Sequence, residues 1–307
     1  MTTPTISVFG DLNLDSSVNI HHFPLHVGDT LFTPDGIGDL IGGAAANVAC
    51  GLAALGHQVR FGAAIGGDRT GDRVLEQLSA LGVPTSFVRR DWPSTARSVV
   101  LIDPRGNRLC INDPKRANDY RYPEEQLDAV IGDSSLVFVS TQSWCRHVVR
   151  RAKELGRKVA VDVQAIVDDD EYHRDFLGHA DIIILSTERL AMHSHDFFRK
   201  LWAAYKVEVI AATHGGGGAT LGVRGEGILH EPCHDVRSIV DKTGAGDAFA
   251  AGFLGALLQD LPPRDALTLG QLTAAYKIGE KGSTRGFPPA ETLRQLFAQS
   301  RRDSRRA

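Results

Sequence analysis

The run Asp241-Lys242-Thr243-Gly244-Ala245-Gly246-Asp247, followed by Ala248-Phe249-Ala250-Ala251-Gly252-Phe253-Leu254, holds residue types suited to anion chemistry. Residues 244–246 are small enough for the backbone to approach an anion closely. An apolar helix starts behind them, with Phe249, Phe253 and Leu257 at i, i+4 and i+8. Its unpaired N–H groups and positive end face whatever sits at Gly244–Asp247. An aspartate there can take a proton from a substrate hydroxyl while N–H groups hold a phosphoryl oxygen. The same residues equally fit an ordinary N-cap aspartate after a glycine turn. The segment by itself does not choose between the two.

Other signals fail on inspection. No Gly-Lys-Ser/Thr follows a glycine-rich loop, so there is no Walker A run. Asp11-x-Asn13-x-Asp15 begins like a calcium loop, but Ser16 stands where glycine is required and His22 where glutamate is. His214-Gly215-Gly216-Gly217-Gly218 is similar to an esterase oxyanion loop, yet the chain has no G-x-S-x-G. Gly36-x-Gly38 lacks the third glycine of a dinucleotide turn, because position 41 is isoleucine. His193 and His195 read as part of a polar loop without convergent metal ligands.

The elements that must position such a site follow a clear rhythm. Short apolar runs at Ile6–Phe9, Val59–Phe61, Leu136–Val139, Val159–Val161, Ile182–Leu185 and Val207–Ala212 read as strands. Helical patterns at Ala44–Leu55, Thr70–Leu81 and His147–Leu155 separate several of them, each stopped by a glycine. Strands apolar on both faces and joined by helices indicate a doubly wound, mostly parallel α/β sheet covered on both sides. Two segments break the rhythm. Residues 11–40 are turn- and β-rich, and residues 95–112 read as a hairpin across Asp103-Pro104-Arg105-Gly106-Asn107. Together, over approximately 11–40 and 92–118, they suggest a small β-sheet lid on a single domain of residues 1–307, with a solvated, disordered tail at 300–307.

Composition narrows the partners. The 307 residues carry 34 basic and 37 acidic side chains, a net charge of −3, which offers no positive excess for nucleic acid or a membrane surface. Aromatics are only 7%, too few for a base-stacking platform. Cys50, Cys110, Cys145 and Cys233 are far apart and read as reduced core thiols, with no C-x-x-C pair to hold zinc. No apolar stretch approaches the ~20 residues of a membrane span, and the start at Met1-Thr2-Thr3-Pro4 lacks the pattern of a signal peptide. The expected location is the cytoplasm.

Gly244-Ala245-Gly246-Asp247 resembles the GAGD signature of the ribokinase, or pfkB, family of carbohydrate kinases. Gly42-Gly43-x-Ala45-x-Asn47-x-Ala49, with Gly56 and Gly66 beyond it, resembles the N-terminal pattern of that family. Gly10-x-x-Asn13-x-Asp15 is similar to its sugar-binding start and Thr213-x-Gly215-x-x-Gly218 to its nucleotide loop, so the likeness runs roughly from residue 6 to 290. The resemblance implies a ribokinase-like fold and ATP-dependent phosphorylation of a hydroxyl on a small sugar or sugar-derived substrate. Carried across by position, Asp247 is the general base and Gly244, Ala245 and Gly246 form the anion hole. Asn13, Asp15, Gly43 and Asn47 bind the substrate; Thr213, Gly215, Gly218 and Ser186 bind the nucleotide. The implied cofactors are ATP and Mg2+, with K+ as a monovalent cation held by Asp241, Thr243, Lys277, Glu280, Gly282 and Gly286. An exposed lid sheet would allow a homodimer.

The chain also departs from the family pattern. Ser186-Thr187-Glu188-Arg189 stands where relatives have N-x-x-E, so Asn becomes Ser and Glu becomes Arg. Glu188, one place early, is the residue left to order Mg2+ indirectly. Lys242 replaces a small or β-branched residue, and Ala44 stands where ribokinases carry Lys. Two other readings stay open: a nucleoside kinase of the same fold, with Phe32, Leu40 and Trp144 lining a base slot, and a catalytically weak ligand-binding relative.

Overall fold

The structure, a computed structural model, describes residues 4–304 except 27, 29, 116 and 117. The chain opens with β1 (Thr5–Phe9), β2 (Asn13–Asn19) and β3 (Ile37–Gly42). There follow α1 (Ala44–Ala54), β4 (Gln58–Gly66), α2 (Arg69–Ala80), β5 (Val88–Trp92), β6 (Arg97–Ile102) and β7 (Arg108–Asp113). The middle comprises α3 (Glu124–Ile131), β8 (Leu136–Ser140), α4 (Arg146–Glu154), β9 (Lys158–Asp162), α5 (Arg174–His179), β10 (Ile182–Ser186) and α6 (Ser194–Ala204). Then come β11 (Val209–Thr213), β12 (Ala219–Val223), β13 (Gly227–Glu231), α7 (Ala245–Leu257), α8 (Pro263–Lys277) and α9 (Ala290–Ser304).

Among the described residues the main sheet has nine strands in the order β13-β12-β11-β10-β9-β8-β1-β4-β5. It is parallel from β5 through β11, and at that edge β12 runs antiparallel to both β11 and β13. Alternation along each strand feeds two cores. Ile6, Val8, Phe61, Phe138, Ile184 and Ala211 pack beneath α1, α7 and α8. Phe9, Val137, Val139, Val161, Ile183 and Ile210 pack beneath α3, α4, α5 and α6. This is why the strands read as apolar on both faces.

The two irregular segments form a separate four-stranded sheet, β3-β2-β6-β7. Its centre, β2 with β6, is parallel; β3 and the β7 edge run antiparallel to their neighbours. Asp103 closes the β6–β7 turn by accepting the N–H groups of Arg105 and Asn107, each at 2.9 Å. Every residue of β7 is exposed, including Leu109 and Ile111.

Three expectations need correction. The His193–His195 stretch is a helix start: His193 Nδ1 accepts the N–H of His195 at 3.3 Å, ahead of the apolar residues Phe197, Phe198 and Leu201 that bury α6. The tail is shorter than composition suggests, because α9 continues through Ser304, and 305–307 lie outside the described residues. Of the four cysteines only Cys50 and Cys145 are core residues; Cys110 and Cys233 are exposed.

Candidate active site

The carboxyl ends of the central parallel strands carry polar side chains side by side. Thr213 ends β11, Ser186 ends β10, Asp162 ends β9 and Ser140 ends β8, with Asp11 two residues past β1. Register puts Thr213 opposite Ser186 and Asp162 opposite Ser140. In open α/β sheets this edge is where ligands bind.

Two helices aim at the same edge. α1 starts at Gly43, whose φ of +105° favours glycine. A Cβ there would come within 2.4 Å of the Asp11 carbonyl oxygen and 3.1 Å of Asn13 Oδ1. Asp11 then caps the helix: its carboxylate accepts the N–H of Ala44 at 2.8 Å, the N–H of Ala45 at 3.2 Å and the Ser140 hydroxyl at 2.7 Å. α7 starts at Gly244 in the left-handed region, φ 79°. Ala245 N–H turns back to the Lys242 carbonyl at 3.1 Å, while the N–H groups of Gly244, Gly246 and Asp247 make no hydrogen bond among the described residues. The N–H groups without a protein partner at the helix start are therefore those of Gly244, Gly246 and Asp247; of the expected Gly244, Ala245 and Gly246 set, Ala245 is engaged and Asp247 takes its place.

α1 and α7 cross closely because Gly51 lies against Ala251; a Cβ on Gly51 would sit 2.6 Å from the Ala251 Cβ. This crossing brings Asn47, on α1, to Asp247, on the first turn of α7. Asn47 Nδ2 donates to Asp247 Oδ2 at 2.7 Å. Asn47 is 5% exposed, and its Oδ1 is buried with no hydrogen-bond partner.

The electrostatics follow from crowding. Burial, then the Asp162 carboxylate, push Asp247 up to about 8, against the Asn47 donor and with a further push from Asp11. Burial and Asp11 raise Asp162 to about 7, although its Oδ1 accepts the N–H of Gln164 at 2.8 Å. Burial lowers the Lys277 ammonium, while Asp241, Asp247 and Glu280 pull it back. Burial acts upward on Asp241, but the N–H groups of Gly282 and Thr243 and the Lys277 charge outweigh it and hold it low.

The small sheet contributes the other polar cluster. Asn13 and Asp15 lie on β2, and Asn13 Nδ2 is shared between Asp15 and Ser98 Oγ of β6, the latter at 3.1 Å. Burial raises Asp15, partly offset by Ser98 and Asn13. The Asp15 carboxylate rests on Gly42, where a Cβ would approach to 2.2 Å, so the paired glycines leave room for both polar side chains.

On the far side, Thr213 leads into a turn at Gly215–Gly217 that Gly218 closes. His214 fixes this loop: Nδ1 meets Thr187 Oγ1 at 2.9 Å and Nε2 meets Thr220 Oγ1 at 2.8 Å. Glu188 and Arg189 stand exposed after β10, and the Glu188 N–H donates to Ser186 Oγ at 3.3 Å. Among the described residues no group of three or more His, Cys, Asp or Glu is arranged to hold a metal ion.

Sequence reasoning missed Asp11, Asp162, Ser98 and Ser140, and gave His214, inside the expected nucleotide loop, no role of its own. The signal for Asp162 was a lone carboxylate ending an otherwise apolar strand. Asp11 was visible only as part of a rejected calcium loop.

Fold and site define an α/β protein that gathers its polar groups at the carboxyl ends of parallel strands, beside a helix start with free N–H donors. The chain belongs to the pfkB family of carbohydrate kinases, whose model matches residues 4–290. It is similar to an ATP-dependent ribose-1-phosphate kinase of Halopiger xanaduensis, 29% identical over 84% of this chain and 86% of that one. A fructokinase of Klebsiella pneumoniae is 30% identical over 85% and 94% respectively. The solved structure of a microbiome-derived acarbose kinase superposes with a TM-score of 0.88, 28% identity and coverage of 97% of this chain and 100% of the other.

Proposed function

We propose that this kinase transfers the γ-phosphoryl group of ATP to a hydroxyl of a small sugar or sugar-derived substrate, with Asp247 as general base. The observation that carries the reading is the Asn47–Asp247 pair. Asp247 is held at 2.7 Å at a helix start with free N–H donors, and Asn47 Oδ1 lies buried and unpaired beside it. Asn13, Asp15 and the Gly43 turn supply further groups for sugar hydroxyls. Asp247 takes the hydroxyl proton as the oxygen attacks, and the N–H groups at the start of α7 hold the charge that builds on the transferring phosphoryl.

Thr213, Gly215, Gly218 and Ser186 are assigned to the nucleotide, on a loop that His214 and Thr187 hold in shape. Mg2+ entering with the ATP phosphates would neutralise charge and keep most of its water. Glu188 is the carboxylate assigned to order that water. The small sheet is assigned as a lid that excludes water on closure. Its exposed β7 edge is what a second copy would cover in a homodimer, and the cytoplasm supplies the nucleotide.

A sugar is favoured over a nucleoside by the side chains that would line a base slot. Trp144 is 3% exposed and stacks on Tyr122 at 5.9 Å within the core, and Phe32 stands 78% exposed. ADP release from ATP, measured across sugars, sugar acids and nucleosides, tests the reading. Turnover with a sugar or sugar acid is expected; turnover confined to nucleosides would overturn the substrate class.

A further inference from the structure

Lys277 is the last residue of α8, and its side chain is fully buried at 0% exposure. A buried ammonium is costly unless paired and hydrogen-bonded. Its Nζ donates to the carbonyl of Thr243, and the carboxylates of Asp241, Asp247 and Glu280 act on it. The Asp241 carboxylate and the Lys277 carbonyl beside it already accept protein donors. Asp241 Oδ1 accepts the N–H of Thr243 at 2.8 Å and Oδ2 the N–H of Gly282 at 2.9 Å. The Lys277 carbonyl accepts the N–H of Glu280 at 3.1 Å.

Asp241, Thr243 and Lys277 are three of the residues to which the family resemblance assigns a bound K+, and with the Lys277 ammonium in their midst they do not fit one. The Thr243 carbonyl is directed at an ammonium and both Asp241 oxygens are engaged. We infer that the Lys277 ammonium is a built-in cation that takes the place of K+ beside the anion-binding turn. The consequence is geometric. In a trans peptide the carbonyl oxygen and the next N–H point in opposite directions. Anchoring the Thr243 oxygen on Lys277 aims the Gly244 N–H away from α8, and Gly244 is the residue whose left-handed backbone opens α7. Lys277 is thus a positioning residue for the phosphate-holding donors, and it places a fixed positive charge near them.

The inference rests on the kinase reading, and two measurements keep the two apart. The first follows phosphoryl transfer and thermal melting of the wild-type chain in KCl and in tetramethylammonium chloride at equal ionic strength. Both should be the same in the two salts. The second replaces the cation: Lys277→Met keeps length without charge, and should lose about 10–100-fold in transfer rate, as loss of a supporting partner does, in either salt. Lys277→Ala, which opens space, should regain activity and melting temperature selectively in K+. A wild type whose melting temperature or turnover rises with millimolar K+ would overturn the inference, and the melting comparison decides even if the variants do not fold. Absence of transfer in every salt would count against the kinase reading alone.

Discussion

Asn47 shows how one side chain joins packing to chemistry. Its amide N–H holds Asp247 while its oxygen is left buried without a partner. Asn47→Leu removes that unpaired acceptor but also the donor that holds Asp247, two opposed effects on stability, so the ligand-free protein should melt close to wild type while the KM for the sugar acceptor rises. A variant that melts well below wild type and keeps its KM would make Asn47 a packing residue only. Asp247 predicts a pH dependence. Its carboxyl is raised from 3.8 to about 8, so between these values the native state keeps a proton that the unfolded chain has released. Stability contributed by this group is therefore present at low pH and lost as pH climbs toward about 8. Melting temperature against pH should show this decline and Asp247→Asn should flatten it, while kcat/KM of the wild type should climb over the same range as the base ionises. A wild-type rate that is flat from pH 5 to 8 would contradict the assignment.

At the level of elements, the α1–α7 crossing sets the distance between Asn47 and Asp247. Gly51 permits it, since a Cβ there would meet Ala251 at 2.6 Å and Phe287 at 2.8 Å. Gly51→Val should cost about 1–3 kcal/mol by overpacking and should lower kcat as the helices part. Unchanged denaturation and turnover would show that the crossing yields without effect. The β6–β7 hairpin carries exposed apolar residues and, as the proposed lid, should exchange amide hydrogens more slowly over Val99–Ile111 once acceptor and nucleotide are bound. Identical exchange with and without them would remove the lid from the account. Periodicity in the sequence made the parallel strands and the glycine-stopped helices legible, because strands buried on both faces have no choice but to be apolar. The α6 helix was not legible: its start is a histidine cap, and His193 and His195 disguised it as loop. Asp11 escaped for a related reason, since a carboxylate that caps a helix 33 residues away leaves no local pattern.

For the whole molecule, the order β11-β10-β9-β8-β1 collects polar strand ends from residues 11 to 213 along one edge, and α7 closes it from the far end of the chain. No linear pattern displays that convergence; it comes from the parallel crossovers, which return every strand in the same direction. The signature residues were readable because two separate runs, Gly42–Ala49 and Gly244–Asp247, resemble the pattern of one family, whereas Asp162 and Ser98 acquire meaning only through neighbours brought in by folding. Through this convergence Asp247 is proposed as the base for phosphoryl transfer. Asp247→Asn keeps the size and the helix start, so it should fold and bind ATP nearly as wild type does. The decisive measurement is its rate of phosphoryl transfer from ATP to the acceptor sugar, compared with wild type under saturating substrates. We predict a fall of at least ~10²-fold, the scale of general-base assistance; a folded Asp247→Asn enzyme working within a few-fold of wild type would reduce Asp247 to a helix cap and contradict the mechanism.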